Sequence, residues 1–234
     1  MNAVFGMVDD AGMAGDRSLL MYRVVMAVAT PIVRWWGRLE IVGLDALPKS
    51  GPLVLLANHD SHWDPVVVGV AGVRRRQIRA LAKASLWRNR LLAWVLDHMG
   101  QIPIERGRGD AKALAAAIEQ LRDGACIGVF PEGTVSHGRT LRALSGAGRL
   151  ALAVPDCQVV CVVITGAVDI ALFPRRPHLR VEFFEPKGGQ PQPGESAVAL
   201  TKRTMAEIRA IAPPVVTGRR RRAAAEQAAP DAAS

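Results

Sequence analysis

The segment Asn58-His59-Asp60-Ser61-His62-Trp63-Asp64-Pro65 brings two imidazoles and two carboxylates into eight residues. An imidazole held by a carboxylate at one ring nitrogen has a fixed tautomer, and its other nitrogen is free to take a hydroxyl proton. His59 and Asp64 lie five positions apart, which on a continuous helix would set them about 140° apart around the axis. They meet only if the chain turns between them. Asp64-Pro65 predicts that turn, because Asp is a favoured helix cap and Pro is favoured at the first helical position. Asp64 can therefore cap and orient at once. Other readings of these residues stay open: a structural histidine beside a capping acid, or a metal site through His59, His62 and Asp64 with no further ligand cluster behind it. A serine-hydrolase triad lacks its Gly-x-Ser-x-Gly elbow.

Two further strings pair polar residues with the end of a short apolar run. Gly100-Gln101-Ile102-Pro103-Ile104-Glu105-Arg106 ends in acid-Arg. A guanidinium where a strand leaves a sheet suits a phosphate through bidentate, charge-assisted bonds; taken alone, Arg106 reads as a surface residue of the basic loop Arg106-Gly107-Arg108-Gly109. Phe130-Pro131-Glu132-Gly133-Thr134 follows the apolar run 125–130. Pro131 and Gly133 shape a tight turn that holds Glu132 out of the strand, and Gly133 permits close backbone approach.

The elements that must position these residues alternate along the chain. Strands are expected over 39–44, 52–57, 78–82, 101–105, 125–130, 159–165 and 179–184. Helices are expected over 65–73, 87–99, 110–122, 141–153 and 196–211. This alternation implies a single α/β domain over 38–212, with a mostly parallel sheet flanked by helices. Residues 1–16 read as a flexible N-terminus without a signal peptide: Asp9, Asp10 and Asp16 are present and no basic n-region precedes an apolar core. Residues 17–37 read as an amphipathic, membrane-associating helix. Arg23, Arg34 and Pro31 interrupt its apolar run, and Trp35-Trp36 resemble an interfacial anchor. Residues 213–234, with Arg219–Arg222 and an Ala-rich end, read as a basic disordered tail.

Composition narrows the partner. The chain has 234 residues and carries 30 Lys and Arg against 21 Asp and Glu, a net charge of +9, which points to an anionic partner. The aromatics do not alternate with basic residues, so nucleic acid ranks below an anionic membrane or a phosphorylated substrate. The basic cluster Arg74-Arg75-Arg76, Arg79 and Lys83 can face headgroups or donor phosphates, or be a solvated face. Cys126, Cys157 and Cys161 form no metal spacing and, being odd in number, no disulfide framework; they read as buried, reduced thiols.

His59-x4-Asp64 preceded by Asn58, then Gly100–Arg106, then Phe130-Pro131-Glu132-Gly133-Thr134, occur at intervals of about 40 and 26 residues. In that order they resemble the signature blocks of the glycerolipid acyltransferases, the lysophosphatidic acid acyltransferase group, over about residues 38–185. The resemblance implies the glycerolipid acyltransferase fold and an O-acyltransferase of phospholipid biosynthesis, at the cytoplasmic face of the cell membrane. In this reading a fatty acyl chain passes from acyl-CoA or acyl-carrier protein to the free hydroxyl of 1-acyl-sn-glycerol-3-phosphate, giving phosphatidic acid. It implies His59 as general base with Asp64 as its partner, and Arg106, Glu132, Gly133, Thr134 and Asn58 on the lysophospholipid acceptor. It implies no metal, and no cofactor beyond the thioester co-substrate. Three departures bear on acceptor identity. Val135 stands where the family usually has Arg, Ser145-Gly146 where Lys often precedes Gly, and Cys161 where a strand Pro is usual. Glycerol 3-phosphate, another lysophospholipid or a glycolipid remain acceptors of the same machinery, and a membrane-binding protein that kept the fold is the non-enzymatic rival.

Overall fold

The runs richest in Val, Ile and Leu form the centre of the sheet. In chain order the elements are α1 (Ala3–Thr30), β1 (Glu40–Val42), β2 (Leu53–Ala57), α2 (Asp64–Gly72), β3 (Arg79–Lys83), α3 (Arg90–His98), β4 (Ile102–Ile104), α4 (Ala111–Arg122), β5 (Cys126–Val129), α5 (Gly146–Ala153), β6 (Gln158–Thr165), β7 (Arg180–Phe184) and α6 (Ala197–Ile211). This computed structural model describes residues 3–105, 110–170, 174 and 176–216, with side chains from residue 17.

Seven strands form one sheet in the order β1-β7-β6-β2-β5-β3-β4. β2 is paired in parallel on both sides, with Leu53 opposite Cys126 of β5 and Gln158 of β6. Its side chains are buried on both faces, Leu53, Leu55 and Ala57 in one core and Val54 and Leu56 in the other. That explains why β2 and β6 read as unbroken apolar runs instead of alternating ones. β7 is antiparallel to β6 and carries β1 beside it.

Helices α1 and α2 pack on one face, whose core gathers Tyr22, Met26, Val67 and Val70 with β2, β6 and β7. Helices α4, α5 and α6 cover the other, with Ala117, Leu121, Leu150, Leu200 and Ile208. The chain therefore leaves β2 through α2 on one face and leaves the adjacent β5 through α5 on the opposite face. Such a divergence opens a crevice at the carboxyl ends of the two strands, where α/β folds hold their sites. Residues 59–64 and 130–136 sit there.

Three expected boundaries move. Helix α1 begins at Ala3 instead of 17, and runs through Gly6, Gly12 and Gly15 against their low helix propensity. It ends in a π-helical segment, Pro31–Trp36, that starts at the proline. By length and composition, Arg17–Trp36 can cross a membrane. The helix expected over 87–99 divides into a 3-10 turn, Ala84–Arg88, and α3, because Asn89 starts a new helix by accepting from Leu92 N at 3.0 Å. The helix expected from 141 starts only at Gly146, because residues 131–144 are held as a loop by Leu144 N donating to Pro131 O and Ser136 N donating to His59 O, both at 2.8 Å. All three cysteines are free and buried, and burial pushes the Cys126 and Cys161 thiols up to about 12.

Candidate active site

β2 ends at Ala57, and the next three residues turn into the crevice while α2 starts at Asp64. Asp64 Oδ2 accepts from the backbone N–H groups of Asp60 and Ser61 at 2.7 and 2.8 Å, reaching back from the first residue of α2 to fix the turn before it. The same oxygen lies 3.1 Å from His59 Nδ1. Of the two expected uses of Asp64, the approach to the ring is present but the cap is not: the cap position is Trp63, no side chain caps α2, and Asp64 instead ties the preceding turn together. With Nδ1 protonated toward the carboxylate, Nε2 is the nitrogen left to receive a proton. Burial raises the Asp64 pKa, against the hydrogen bonds from His59 and the two backbone amides that lower it. Asp64 Oδ1 is buried with no hydrogen-bond partner among the described residues. The His59 ring packs against Phe130 at a centroid distance of 4.5 Å.

Glu132 arrives from the end of β5. Its Oε2 accepts from the His59 backbone N–H at 2.9 Å, so the third block is bonded directly to the first. Gly133 takes a left-handed conformation, φ +70°, and a Cβ there would stand 2.9 Å from Leu144 Cδ1. Thr134 is exposed.

Two residues that sequence reasoning did not select complete the corner. Asp60 is buried and accepts from Asn58 Nδ2, Ser136 Oγ and Arg209. Arg209, from the last turn of α6, spans both acids. Its Nε and Nη2 donate to Glu132 at 2.8 and 2.5 Å, and its Nη1 donates to Asp60 Oδ2 at 2.8 Å. The side chains of Arg209, Asp60 and Glu132 are 14%, 6% and 2% exposed. Burial pulls the Arg209 pKa down, but the hydrogen bonds from it to Asp60 and Glu132 outweigh that and leave it raised. Asp60 stood within the quoted first block, where its neighbours His59 and Asp64 drew the chemistry. Arg209 carried no local signal, since a basic residue in a last helical turn is ordinary.

Asn58, expected on the acceptor, makes its visible bonds within the fold. It is fully buried, and its amide is taken up by Ile164 N and O, both at 2.8 Å, and by Asp60. It staples β2 to β6. Glu132 is likewise engaged on both oxygens by protein donors, so its visible work is to hold the His59 backbone. Arg106 lies outside the described residues. The basic cluster divides: Arg75 donates to Leu47 O and Arg76 to Gly51 O and Gly124 O, structural roles at the opposite, amino edge of the sheet. His62 is exposed, and among the described residues no group of three His, Cys, Asp or Glu side chains is placed to hold a metal.

A family model described as Acyltransferase matches residues 38–165, the segment containing β1 through β6 and the whole His59–Asp64–Glu132 corner. The chain belongs to the acyltransferase family. It is 32% identical over 134 residues to a 1-acyl-sn-glycerol-3-phosphate acyltransferase of Borreliella burgdorferi, covering 55% of this chain and 53% of that one. It is 31% identical over 139 residues to a lyso-ornithine lipid O-acyltransferase of Pseudomonas aeruginosa, covering 54% and 52%. The chain thus spans about half the length of these curated relatives. The crystal structure of the 1-acyl-sn-glycerophosphate acyltransferase PlsC of Thermotoga maritima shares the fold, with a TM-score of 0.59 at 21% identity over 86% of each chain.

A cavity of about 220 Å³ opens behind this acyltransferase corner. Asp60 and Asp64 line it on one side, the end of β6 on another, and Ile211, Pro213 and Val215 close it.

Proposed function

We propose that this acyltransferase moves a fatty acyl chain from acyl-CoA or acyl-carrier protein to the free hydroxyl of 1-acyl-sn-glycerol-3-phosphate, giving phosphatidic acid. The observation that carries the reading is the 3.1 Å approach of His59 Nδ1 to a helix-start carboxylate at the carboxyl end of β2. His59 Nε2 takes the proton of the acceptor hydroxyl as its oxygen attacks the thioester carbonyl. The oxyanion then collapses, the carbon–sulfur bond breaks, and the imidazolium returns its proton to the leaving thiolate. Asp64 stabilises the imidazolium between the two transfers. General-base assistance of this kind contributes about 10²–10⁴ in rate.

Lysolipid substrates reside in membranes, and the surface supports a bilayer as the partner. Nine of the thirteen large apolar side chains exposed among the described residues are Leu20, Val24, Val28, Ile32 and Trp35 of the N-terminal helix, and Leu86, Leu91, Leu92 and Trp94 in and just before α3. Such concentration marks an interaction face, and the exposed Arg17, Arg23, Arg88 and Arg90 within it suit anionic headgroups. This face supports a position on a membrane surface, which in the proposed reading is the cytoplasmic surface of the cell membrane.

The Pseudomonas relative favours a second acceptor class, a lyso-aminolipid, with the same chemistry. The deciding experiment supplies purified protein with radiolabelled acyl-CoA and a panel of acceptors in anionic vesicles. Labelled phosphatidic acid from lysophosphatidic acid is the expected product. Labelled product from a phosphate-free acceptor alone would replace the acceptor, and none from any acceptor would end the acyl-transfer reading.

A further inference from the structure

We propose that Arg209 is a positioning residue for acyl transfer: by clamping Glu132 and Asp60 together from α6, it fixes the backbone of His59 and so the aim of the reacting imidazole. The inference rests on the acyl-transfer reading for its kinetic part and on geometry for the rest.

The geometry is a closed chain of bonds. Arg209 Nε and Nη2 donate to Glu132, whose Oε2 accepts from His59 N at 2.9 Å. Arg209 Nη1 and Nη2 donate to Asp60 at 2.8 and 3.1 Å, and Asp60 is bonded in turn to Asn58 and Ser136. Ser136 N donates to His59 O at 2.8 Å. Both backbone polar groups of His59 are therefore held by partners in the third-block loop, and Arg209 is the cation tying that loop to residue 60.

Removing the guanidinium leaves two buried carboxylates facing one another without a counter-charge. Like charges at such separation do not both remain ionised in place. Either a proton is taken up or the side chains part, and in both cases the acceptor of the His59 N–H is altered. A displacement of about 1 Å in a reacting group costs on the order of 100-fold in rate. The side-chain hydrogen bonds of Arg209 go to Glu132, Asp60 and Ala212 O, so its influence on His59 passes through the two acids.

The helix that carries Arg209 is placed for the task. α6 follows β7, which runs antiparallel to β6, so it travels from the amino edge of the sheet back to the carboxyl edge and delivers its last turn to the crevice. Its approach to α5 is set by Gly148, where a Cβ would stand 2.1 Å from Ala197 O. Gly148 N also donates to Thr201 Oγ1 at 3.0 Å.

The test compares Arg209→Ala, Arg209→Lys and Arg203→Ala with the full-length protein. Arg203 is on the same helix and pairs with Glu195 at 2.6 Å, away from the crevice, so its loss controls for weakening of α6 alone. Expected for Arg209→Ala is a 30- to 100-fold fall in kcat with acceptor KM within about threefold, and partial recovery in Arg209→Lys or on adding guanidinium ion. Arg203→Ala keeps wild-type kcat. The second readout needs no substrate: protein labelled with ¹⁵N-histidine has five candidate residues, and the His59 amide resonance is expected to move in Arg209→Ala and not in Arg203→Ala. If wild type acylates nothing, the function is wrong and this resonance still decides the role of Arg209. Should Arg209→Ala not fold, Arg209→Lys decides alone. An unmoved His59 amide with kcat within threefold of wild type in the folded variant overturns the proposal.

Discussion

His59 is held by two acidic partners that reach it by opposite routes. Asp64 comes from five residues away and is delivered by the same short turn that starts α2. Glu132 comes from 73 residues away and is locked by an arginine a further 77 residues on. The first arrangement needs only local chain geometry: a tight turn and a helix that starts at Asp64-Pro65. The second needs the sheet order, because β2 and β5 must be neighbours before Glu132 can meet the His59 amide, and α6 must be packed before Arg209 can join them. The two also touch different parts of the residue. Asp64 addresses the ring and therefore the proton; Glu132 addresses the backbone and therefore the position.

Substitutions at the local half are expected to have the largest effects. His59→Ala removes the base and lowers kcat by about 10³–10⁴-fold, near the top of the range for general-base assistance. Steady-state kinetics with lysophosphatidic acid measures it, and a variant keeping more than about a tenth of wild-type turnover contradicts the role. Asp64→Asn comes next, at about 10²–10³-fold. The amide oxygen can still accept from the Asp60 and Ser61 N–H groups, so α2 still starts there, but the imidazolium loses its counter-charge and the tautomer is no longer enforced. Circular dichroism and Tm close to wild type, together with that fall in kcat, would separate orientation from folding.

The remote half breaks from a distance. Gly148→Ala lies in α5, outside the corner, yet its Cβ would meet Ala197 O at 2.1 Å and push α6 away. Overpacking of this kind costs about 1–3 kcal/mol, and the shift of Arg209 is expected to lower kcat about tenfold. Chemical denaturation and kcat measured together check it. Unchanged kcat in a measurably destabilised Gly148→Ala protein would show that the clamp tolerates movement of its helix.

The same division decides what could be read from the chain. The apolar runs of β2 and β6, the Asp64-Pro65 helix start and the Phe130–Thr134 turn depend on neighbours within a few residues, and each appears where the sequence placed it. The resemblance implies Asn58 on the acceptor, whereas its amide bonds Ile164, 106 residues away in β6. Nothing at position 58 reports which strand will lie beside it. Arg209 is the stronger case: as a residue it is one of many exposed-looking arginines in a chain of net charge +9, and only the return of α6 to the carboxyl edge turns it into the partner of two buried acids. The helix expected over 141–153 is shorter for a related cause, since residues before Gly146 obey loop bonds to Pro131 and His59 instead of their own propensity.

The smallest effect is expected at His62, and it tests how far locality alone confers a role. His62 is as close to Asp64 in sequence as a metal-binding pair requires, and its residue type is the same as that of His59. The turn, however, sends it outward: it is exposed, while His59 and Asp64 are buried side by side. Exposed side chains without partners change stability by about half a kcal/mol or less when replaced. His62→Ala should therefore retain kcat within about threefold and leave Tm unchanged, and prolonged dialysis against a chelator should have no greater effect on it than on wild type. A hundredfold loss in His62→Ala, restored by a divalent ion, would instead make the His59–Asp64 pair part of a metal site, with the carboxylate serving a cation and not the imidazole.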